Sequence, residues 1–336
     1  MAVTPPPQVV LREMLTGYWT AQAIHAAAVL GVADLLKDGP RTSADLAAVT
    51  GTHERSLYRL LRALVSVGVF AEEAPGHFGL SPLAECLRTD AVNSVRAMAI
   101  MTGSEHYHSW GDLLYSIRTG QTAFEHLYGQ PIFPYLATHP EAAQVFDDAM
   151  TAIHGAETAA MLDAYDFGPF QTLVDVGGGN GSLLTAALQR YPALRGILFD
   201  RADVVDRARP LLKAAGLEER CPAVAGSFFS SVPAGGDAYL MRHIIHDWND
   251  VLALSILRNC RQVMPVGGRL LLIESVIPPG PGASWSKFLD LNMLVIPGGM
   301  ERTEAEYRDL LALAGFRLER IVPTRTEICL IEGLPA

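Results

Sequence analysis

Three ionisable residues stand where side chains of their kind are costly unless they are used. His246 opens the run His246-Asp247-Trp248-Asn249-Asp250. Asn249 can cap a helix that begins at Asp250, which leaves His246 on the loop just past a strand expected over 238–243. Glu274 interrupts an otherwise apolar strand over 269–276, where a carboxylate costs on the order of several kcal/mol unless it is paired. Glu301 lies in the glycine-rich stretch Pro297-Gly298-Gly299-Met300-Glu301-Arg302-Thr303. An imidazole can take a proton from a hydroxyl near neutral pH, and either carboxylate can hold it while it does so. Plainer readings stand beside this one. A lone histidine is usually structural, and a glutamate just before Arg302-Thr303 can simply serve a helix start.

A second group of residues could cradle a ligand. Asp175, Gly177, Gly179 and Gly181 form Asp-x-Gly-x-Gly-x-Gly between a β-branched run over 172–176 and an apolar helical pattern over 182–190. Glycines let the backbone turn tightly and approach a ligand, and the helix start offers unpaired N–H groups. The dinucleotide fingerprint requires G-x-G-x-x-G/A, and Ser182 occupies its last place. Structural turns use the same residues, so the loop alone does not identify a ligand. Asp200 closes the next strand, over 195–200, and its carboxylate can accept two hydrogen bonds from a ribose diol or cap the following helix. After a third strand over 222–226, Gly226-Ser227-Phe228-Phe229 places rings where an adenine could lie flat, with an aromatic core as the alternative.

These residues need a scaffold that brings them to one edge. Beyond Phe167-Gly168-Pro169, the five strands named so far alternate with helices over 182–190, 202–215 and 250–264. Helices over 287–295 and 303–314 then lead to a closing hairpin, 316–322 with 327–331. This is an α/β fold with a doubly wound, seven-stranded sheet, and such sheets bind ligands at the carboxyl ends of their strands. The preceding chain is organised differently. Residues 11–36 read as alanine-rich helices whose small faces (Ala23, Ala26, Ala27, Leu30) suit a close contact within the chain or between chains. Thr42 or Ser43 can cap a short helix, Gly51 turns the chain, and Thr52 can cap a second helix carrying Leu57, Leu60, Leu61, Leu64 and Val65. A hairpin over 69–80 turns at Pro75-Gly76, and Ser81-Pro82 starts another helix. That is the order of a winged helix. Residues 92–165 read as helical and rich in rings and sulfur, among them Trp110, Phe133, Phe146, Met150 and His154, a composition suited to a lid over an apolar pocket.

Bulk properties exclude several classes of function. At 336 residues and 49% hydrophobic content, the chain is long enough for two domains with real cores. A net charge of −10 and a pI near 5.5 argue against broad nucleic-acid or anionic-membrane binding. A winged helix invites a DNA-binding role, yet residues 1–100 carry eight basic and nine acidic side chains. Arg55, Arg59 and Arg62 share one helix face, which solvation explains as well as DNA does. The four cysteines, Cys86, Cys221, Cys260 and Cys329, are scattered without a C-x-x-C, which suggests neither zinc nor disulfides and points to a reduced, cytoplasmic setting. The first ten residues lack a targeting pattern, and Pro5, Pro6 and Pro7 suggest a frayed arm. No apolar run reaches bilayer length, since Gly31 and Asp34 interrupt the best candidate.

Taken together, His246-Asp247-Trp248, Glu274 and Gly298-Gly299-Met300-Glu301-Arg302-Thr303, behind the glycine loop and the winged-helix order, resemble the caffeic-acid-type O-methyltransferases. Those enzymes depend on S-adenosylmethionine (SAM), and their bacterial relatives methylate phenols of polyketides and other natural products. The resemblance spans nearly the whole chain. It implies a Rossmann-like SAM-methyltransferase domain over 166–336, a substrate lid over 101–165, and an α-helical winged-helix dimerisation domain over 1–100 in an intertwined homodimer. His246 would be the general base, flanked by Glu274 and Glu301. Asp175, Gly177, Gly179, Asp200, Ser227, Phe228 and Arg242 would surround SAM and its product S-adenosylhomocysteine (SAH). Phe146, Met150, Asn292 and Met293 would face the acceptor, and no metal is expected. Two positions depart from the family pattern. Ser227 stands where an aspartate is common, which weakens a contact to the adenine amine. Arg242 replaces a common lysine, keeping the charge but changing its geometry.

The methyl group of SAM is already activated, so the protein has to align an in-line attack and remove a proton. A phenol of pKa about 10 against a histidine of about 6.5 leaves roughly 5 kcal/mol uphill. Alignment offers about 7–11 kcal/mol and a positioned base roughly 10²–10⁴-fold, so alignment dominates. Two other readings keep SAM. One is a relative that hydroxylates or decarboxylates with SAM as a structural prop, against which the full His246, Glu274 and Glu301 set argues, while methylation of nitrogen stays possible within the same fold. The other is a SAM-responsive winged-helix regulator, which the balanced charge of the first hundred residues opposes.

Overall fold

A computed structural model describes residues 5–92 and 94–336. Its contacts cluster into two units, Met1–His108 with Leu136–Ile153, and Ser109–Tyr135 with His154–Ala336. The segment over 101–165 is therefore divided between them.

In the first unit, helix α1 (Pro7–Val29) begins one residue after Pro6. The proline-rich start is thus the first turn of a helix from Pro7 onward, where the missing N–H of proline has no intrahelical partner to lose. Residues 1–4 lie outside the described chain. Ala27 and Ala28 of α1 are buried, and a helix over Arg96–Gly103 packs closely beside it. A Cβ on Gly103 would fall 2.2 Å from the His25 ring, so the approach depends on a residue without a side chain.

Helix α2 (Ser43–Thr50) is capped by Thr42, whose hydroxyl accepts from the Asp45 N–H at 3.1 Å. Helix α3 (Glu54–Ser66) is capped by the His53 ring rather than by Thr52. The Thr52 hydroxyl is engaged with that of Thr50 at 2.8 Å, which removes it from capping. Strands β1 (Arg41–Thr42), β2 (Phe70–Ala74) and β3 (His77–Leu80) form an antiparallel sheet in the order β1-β3-β2. Leu57, Leu61 and Leu64 of α3 pack with Leu46, Phe70 and Phe78 into one core, while Arg55, Arg59 and Arg62 face solvent.

The second unit is built on strands β4 (Thr172–Val176), β5 (Arg195–Asp200), β6 (Ala223–Ala225), β7 (Ala238–Arg242), β8 (Arg269–Ile277), β9 (Arg302–Thr303), β10 (Phe316–Pro323) and β11 (Ile328–Pro335). The main order is β10-β11-β8-β7-β4-β5-β6, with β9 adding a two-residue pairing to the end of β8. Strands β6 to β8 along this order are parallel and the β10–β11 hairpin is antiparallel, giving the expected seven strands. Side chains alternate between the two faces as a pleat requires. Leu173, Leu240, Leu271 and Ile273 join one core with helices α4 (Ser182–Arg190) and α5 (Ala202–Ala214). Val174, Tyr239, Met241, Leu270 and Leu272 join the other, with α6 (Asp250–Val263) and α7 (Glu304–Leu313). The strand order reverses between β4 and β7, the switch point at which such sheets form a ligand crevice outside the carboxyl ends of their strands. No helix among the described residues is long and apolar enough to cross a membrane.

Candidate active site

On one side of that crevice lies the glycine loop. Gly177 leaves β4 at φ 74°, and its N–H donates to the Phe199 carbonyl at 2.8 Å. The positive φ favours glycine, and a Cβ there would fall 2.5 Å from Ile244 Cδ1, the mobile end of a side chain that would have to turn aside. Gly179 is different. Nothing lies within 4 Å of where its Cβ would project, which leaves room in front of the loop.

The Gly179 N–H donates to Asp200 Oδ2 at 2.8 Å, and Oδ1 accepts from Arg201 N–H at 2.7 Å. The helix after Asp200 has no side-chain cap, so capping does not explain this carboxylate. A carboxylate offers about four acceptor sites, and two remain for an incoming diol. Burial raises the pKa of Asp200, opposed by these two N–H groups. Asp175 is buried inside β4, and burial pushes it up to about 7 against the field of Arg242. Arg242 ends β7 and donates to Thr158 Oγ1 at 2.8 Å and Ser182 Oγ at 3.3 Å, bridging to the start of α4. Phe228 is half-buried, edge-on to Trp248 and close to Gly177, while Ser227 is exposed. The seven residues expected around SAM thus gather at the carboxyl ends of β4, β5, β6 and β7.

On the other side the chain leaves β7 through His243, which sits at φ 52°, the one non-glycine residue with positive φ among those described. This left-handed step turns the backbone so that the N–H groups of Ile244 and Ile245 both donate to Glu274 Oε1, at 3.1 and 2.9 Å. His246 follows in a single 3₁₀ turn, Ile245–Asp247, and Asn249 caps α6 as its spacing implies.

The His246 side chain is 8% exposed. Its Nδ1 lies 2.7 Å from Glu301 Oε1 and 3.7 Å from Glu274 Oε2. The two carboxylates therefore divide the work: Glu301 bonds the ring and Glu274 holds the loop beneath it. The helix start is served instead by a reciprocal Thr303–Glu306 capping box, which frees Glu301 from that role. With Nδ1–H donating to a carboxylate, Nε2 is the nitrogen left to accept a proton. Burial alone would lower the pKa of His246, but the fields of Glu274, Glu301 and Asp247 outweigh it and raise it to about 10. That brings the imidazole level with an ordinary phenol of pKa about 10 and closes the gap that unperturbed values imply. Burial also raises the pKa of Glu274 against the opposing field of His246.

The loop carrying Glu301 is fitted to the loop carrying His246 backbone against backbone. The Met300 N–H donates to the His246 carbonyl at 2.9 Å. A Cβ on Gly299 would lie 2.0 Å from that same oxygen. Arg302 reaches under both loops, and the Glu301 N–H donates to Asp290 Oδ1 at 3.0 Å. Gly299 and Arg302 were visible in sequence only as members of the Gly298–Thr303 motif and Asp290 not at all, because what each one touches, 11 to 57 residues away along the chain, leaves no local pattern. Glycine pairs and an arginine in an unbroken run were the only available signals.

The residues expected on the acceptor side fall in both units. Asn292, on the helix Trp285–Val295, accepts from Trp110 Nε1 at 2.9 Å, and Met293 beside it is buried. Phe146 and Met150 stand half-buried, one helical turn apart, on the part of Pro140–Ala164 that belongs to the first unit.

Comparisons with known proteins bear on both units. Residues 110–317 match the model of the O-methyltransferase domain, and residues 12–90 that of the O-methyltransferase dimerisation domain. The chain is similar to a phenazine O-methyltransferase of Lysobacter antibioticus, 46% identical with 98% of this chain and 97% of that one covered. It is also similar to an 8-amino-8-demethylriboflavin N,N-dimethyltransferase of Streptomyces davaonensis, 38% identical over 93% and 91% of the two chains. Its structure is similar to that of NcsB1, an O-methyltransferase from neocarzinostatin biosynthesis solved with SAM and 2-hydroxy-5-methyl naphthoic acid. That match has a TM-score of 0.84 and 35% identity, covering 94% of this chain and 96% of the other.

Proposed function

Since the chain belongs to the O-methyltransferase family over both its dimerisation domain and its O-methyltransferase domain, we propose that it moves a methyl group from SAM to a phenolic hydroxyl of a small aromatic natural product. The carrying observation is the buried His246–Glu301 pair at 2.7 Å, on the loop that follows β7, the strand next to β4 in the sheet. SAM would lie across Gly177 and Gly179 with its ribose on Asp200, its adenine near Phe228 and Ser227, and Arg242 and Asp175 beneath. SAM supplies the activated methyl. His246 Nε2 takes the acceptor's proton, Glu301 holds the ring and Glu274 the loop. Relatives of the chain divide between oxygen and nitrogen acceptors. A buried imidazole of raised proton affinity favours oxygen, because a neutral phenol must lose a proton to become a good nucleophile, whereas a neutral amine already is one.

The deciding experiment is isothermal titration of the protein with SAH and, separately, NADH, followed by a screen of hydroxylated phenazines and hydroxynaphthoates for methyl transfer. Micromolar SAH binding without NADH binding is the expected result. Asp200→Ala should weaken SAH at least tenfold, the order for losing a hydrogen bond to a charged group. No SAH binding by the unaltered protein would reduce the glycine loop to a turn.

The first hundred residues serve, in this reading, as a winged-helix dimerisation module, and residues 101–165 as the lid above the 166–336 domain, with Phe146, Met150, Asn292 and Met293 toward the acceptor. The occupant of the module's outer surface is a second copy of the chain. Leu11, Met14, Leu15, Tyr18 and Trp19 form one apolar stripe along α1, with Met14 71% and Trp19 62% exposed. A monomer rarely leaves so continuous an apolar face in water. Leu15→Glu, at the middle of the stripe, should shift the mass by light scattering from that of two chains to the 36.3 kDa of one. An unchanged dimer would place the interface elsewhere.

A further inference from the structure

Arg302 is 1% exposed, the largest side chain in the protein's described part to be buried so completely. Its guanidinium makes a closed set of contacts. Nη1 donates to the carbonyls of Ile245 at 3.2 Å and Met300 at 3.3 Å. Nη2 donates to the Trp248 carbonyl at 3.0 Å and to Asp250 Oδ1 at 2.8 Å, and Nε donates to the same oxygen at 3.0 Å. Two of the three carbonyls, Ile245 and Trp248, bracket His246 and Asp247 on the chain. The third precedes Glu301, the residue bonded to the imidazole.

We propose that Arg302 is a positioning residue for the proton-accepting step, fixing the His246 loop and the Glu301 loop in one register so that the imidazole and its carboxylate partner meet. The inference rests on the reading of His246 as the base. It differs from a general packing role in what the guanidinium holds: backbone atoms on both sides of the histidine and just before its partner, from one planar group. A planar fork sets several acceptors at fixed angles at once, which the single ammonium of lysine cannot do. Asp250 anchors the charge, and its own side chain is 67% exposed. Arg302 touches no residue assigned to SAM, so its influence falls on proton removal and not on cofactor affinity.

The test compares the unaltered protein with Arg302→Lys, and with Asp250→Asn as a milder variant that empties no buried space. SAH affinity is measured by calorimetry, and kcat and KM with SAM and a hydroxyphenazine or its more acidic fluorinated analogue. The Nδ1–H resonance of His246 is followed by proton NMR. In Arg302→Lys, kcat should fall about 10–100-fold, the order for a misplacement of about 1 Å, with SAH affinity within about threefold. The Nδ1–H resonance should shift or broaden, and the loss should be smaller for the acidic analogue, which needs less help to ionise. Asp250→Asn should show a smaller loss in the same direction, and it carries the decision if Arg302→Lys does not fold. An unshifted resonance with unchanged kcat, or a rate loss matched by an equal loss of SAH affinity, overturns the proposal. If the unaltered protein methylates neither phenazine, the acceptor reading falls, while the resonance still decides the role of Arg302.

Discussion

His246→Ala is expected to lower kcat for a phenolic acceptor by about 10²–10⁴-fold, the range for a positioned general base. SAH affinity should stay within about threefold, because the residues placed around SAM do not depend on the imidazole. Turnover should persist at the level that alignment alone provides. The pH dependence carries the sharper test. His246 is raised to about 10 by Glu274, Glu301 and Asp247 against the opposing effect of burial. Its proton is therefore held through neutrality, and the fraction of free base grows as pH climbs toward that value. The rate with a weakly acidic phenol should accordingly rise steadily from pH 7 to pH 9, where an unperturbed histidine of pKa about 6.5 would already have levelled off. In His246→Ala the residual rate should track the acceptor's own ionisation. A plateau above pH 7 in the unaltered protein, or lost SAH binding in the variant, would remove His246 from the base role.

Gly299→Ala is the second large effect, and it comes from one methyl group. Its Cβ would lie 2.0 Å from the His246 carbonyl oxygen, 2.4 Å from the Asp247 carbonyl carbon and 2.6 Å from the Trp248 nitrogen. These are backbone atoms, so no rotamer change can make room. The two loops have to part, and the hydrogen bond from Met300 to His246 stretches with them. Overpacking of this kind costs about 1–3 kcal/mol of stability. A shift of about 1 Å between the base and its partner costs roughly 10²-fold in rate. The variant should melt at lower temperature, keep SAH affinity and lose most of its activity. Gly111→Ala, where nothing lies within 4 Å, is the matched control. Equal activity in the two variants would mean that the loops are not pressed together as described.

How far the sequence revealed this site depended on the range of each signal. The Asn249 cap and the glycine loop are local, and both formed at their expected places. Glu274 was conspicuous because an ionisable group in an apolar strand needs a partner, but the alternation of a strand cannot say which. The partner proved to be two backbone N–H groups, and the imidazole went to Glu301. Short-range chemistry misled at two points. Thr52 and His53 are adjacent and both can cap, and only the Thr50–Thr52 contact decides between them. Prolines at 5–7 read as a loose arm when they also suit a helix start. The α1 stripe was overlooked for a similar reason, since the alanine face of the same helix, read as a contact within the chain or between chains, already accounted for its apolar residues; of that face Ala27 is buried and Ala23, Ala26 and Leu30 are half-buried.

The division of the chain into two units has a consequence for modularity. The peptide passes from one unit to the other at 108–109, back at 135–136, and over again at 153–154 within the helix Pro140–Ala164. No single cut separates them. A gene fragment ending before residue 109 lacks part of the first unit, and one starting there carries a piece that belongs to it. Such a chain cannot be shuffled as two beads on a string. Its halves have to be inherited, expressed and altered together.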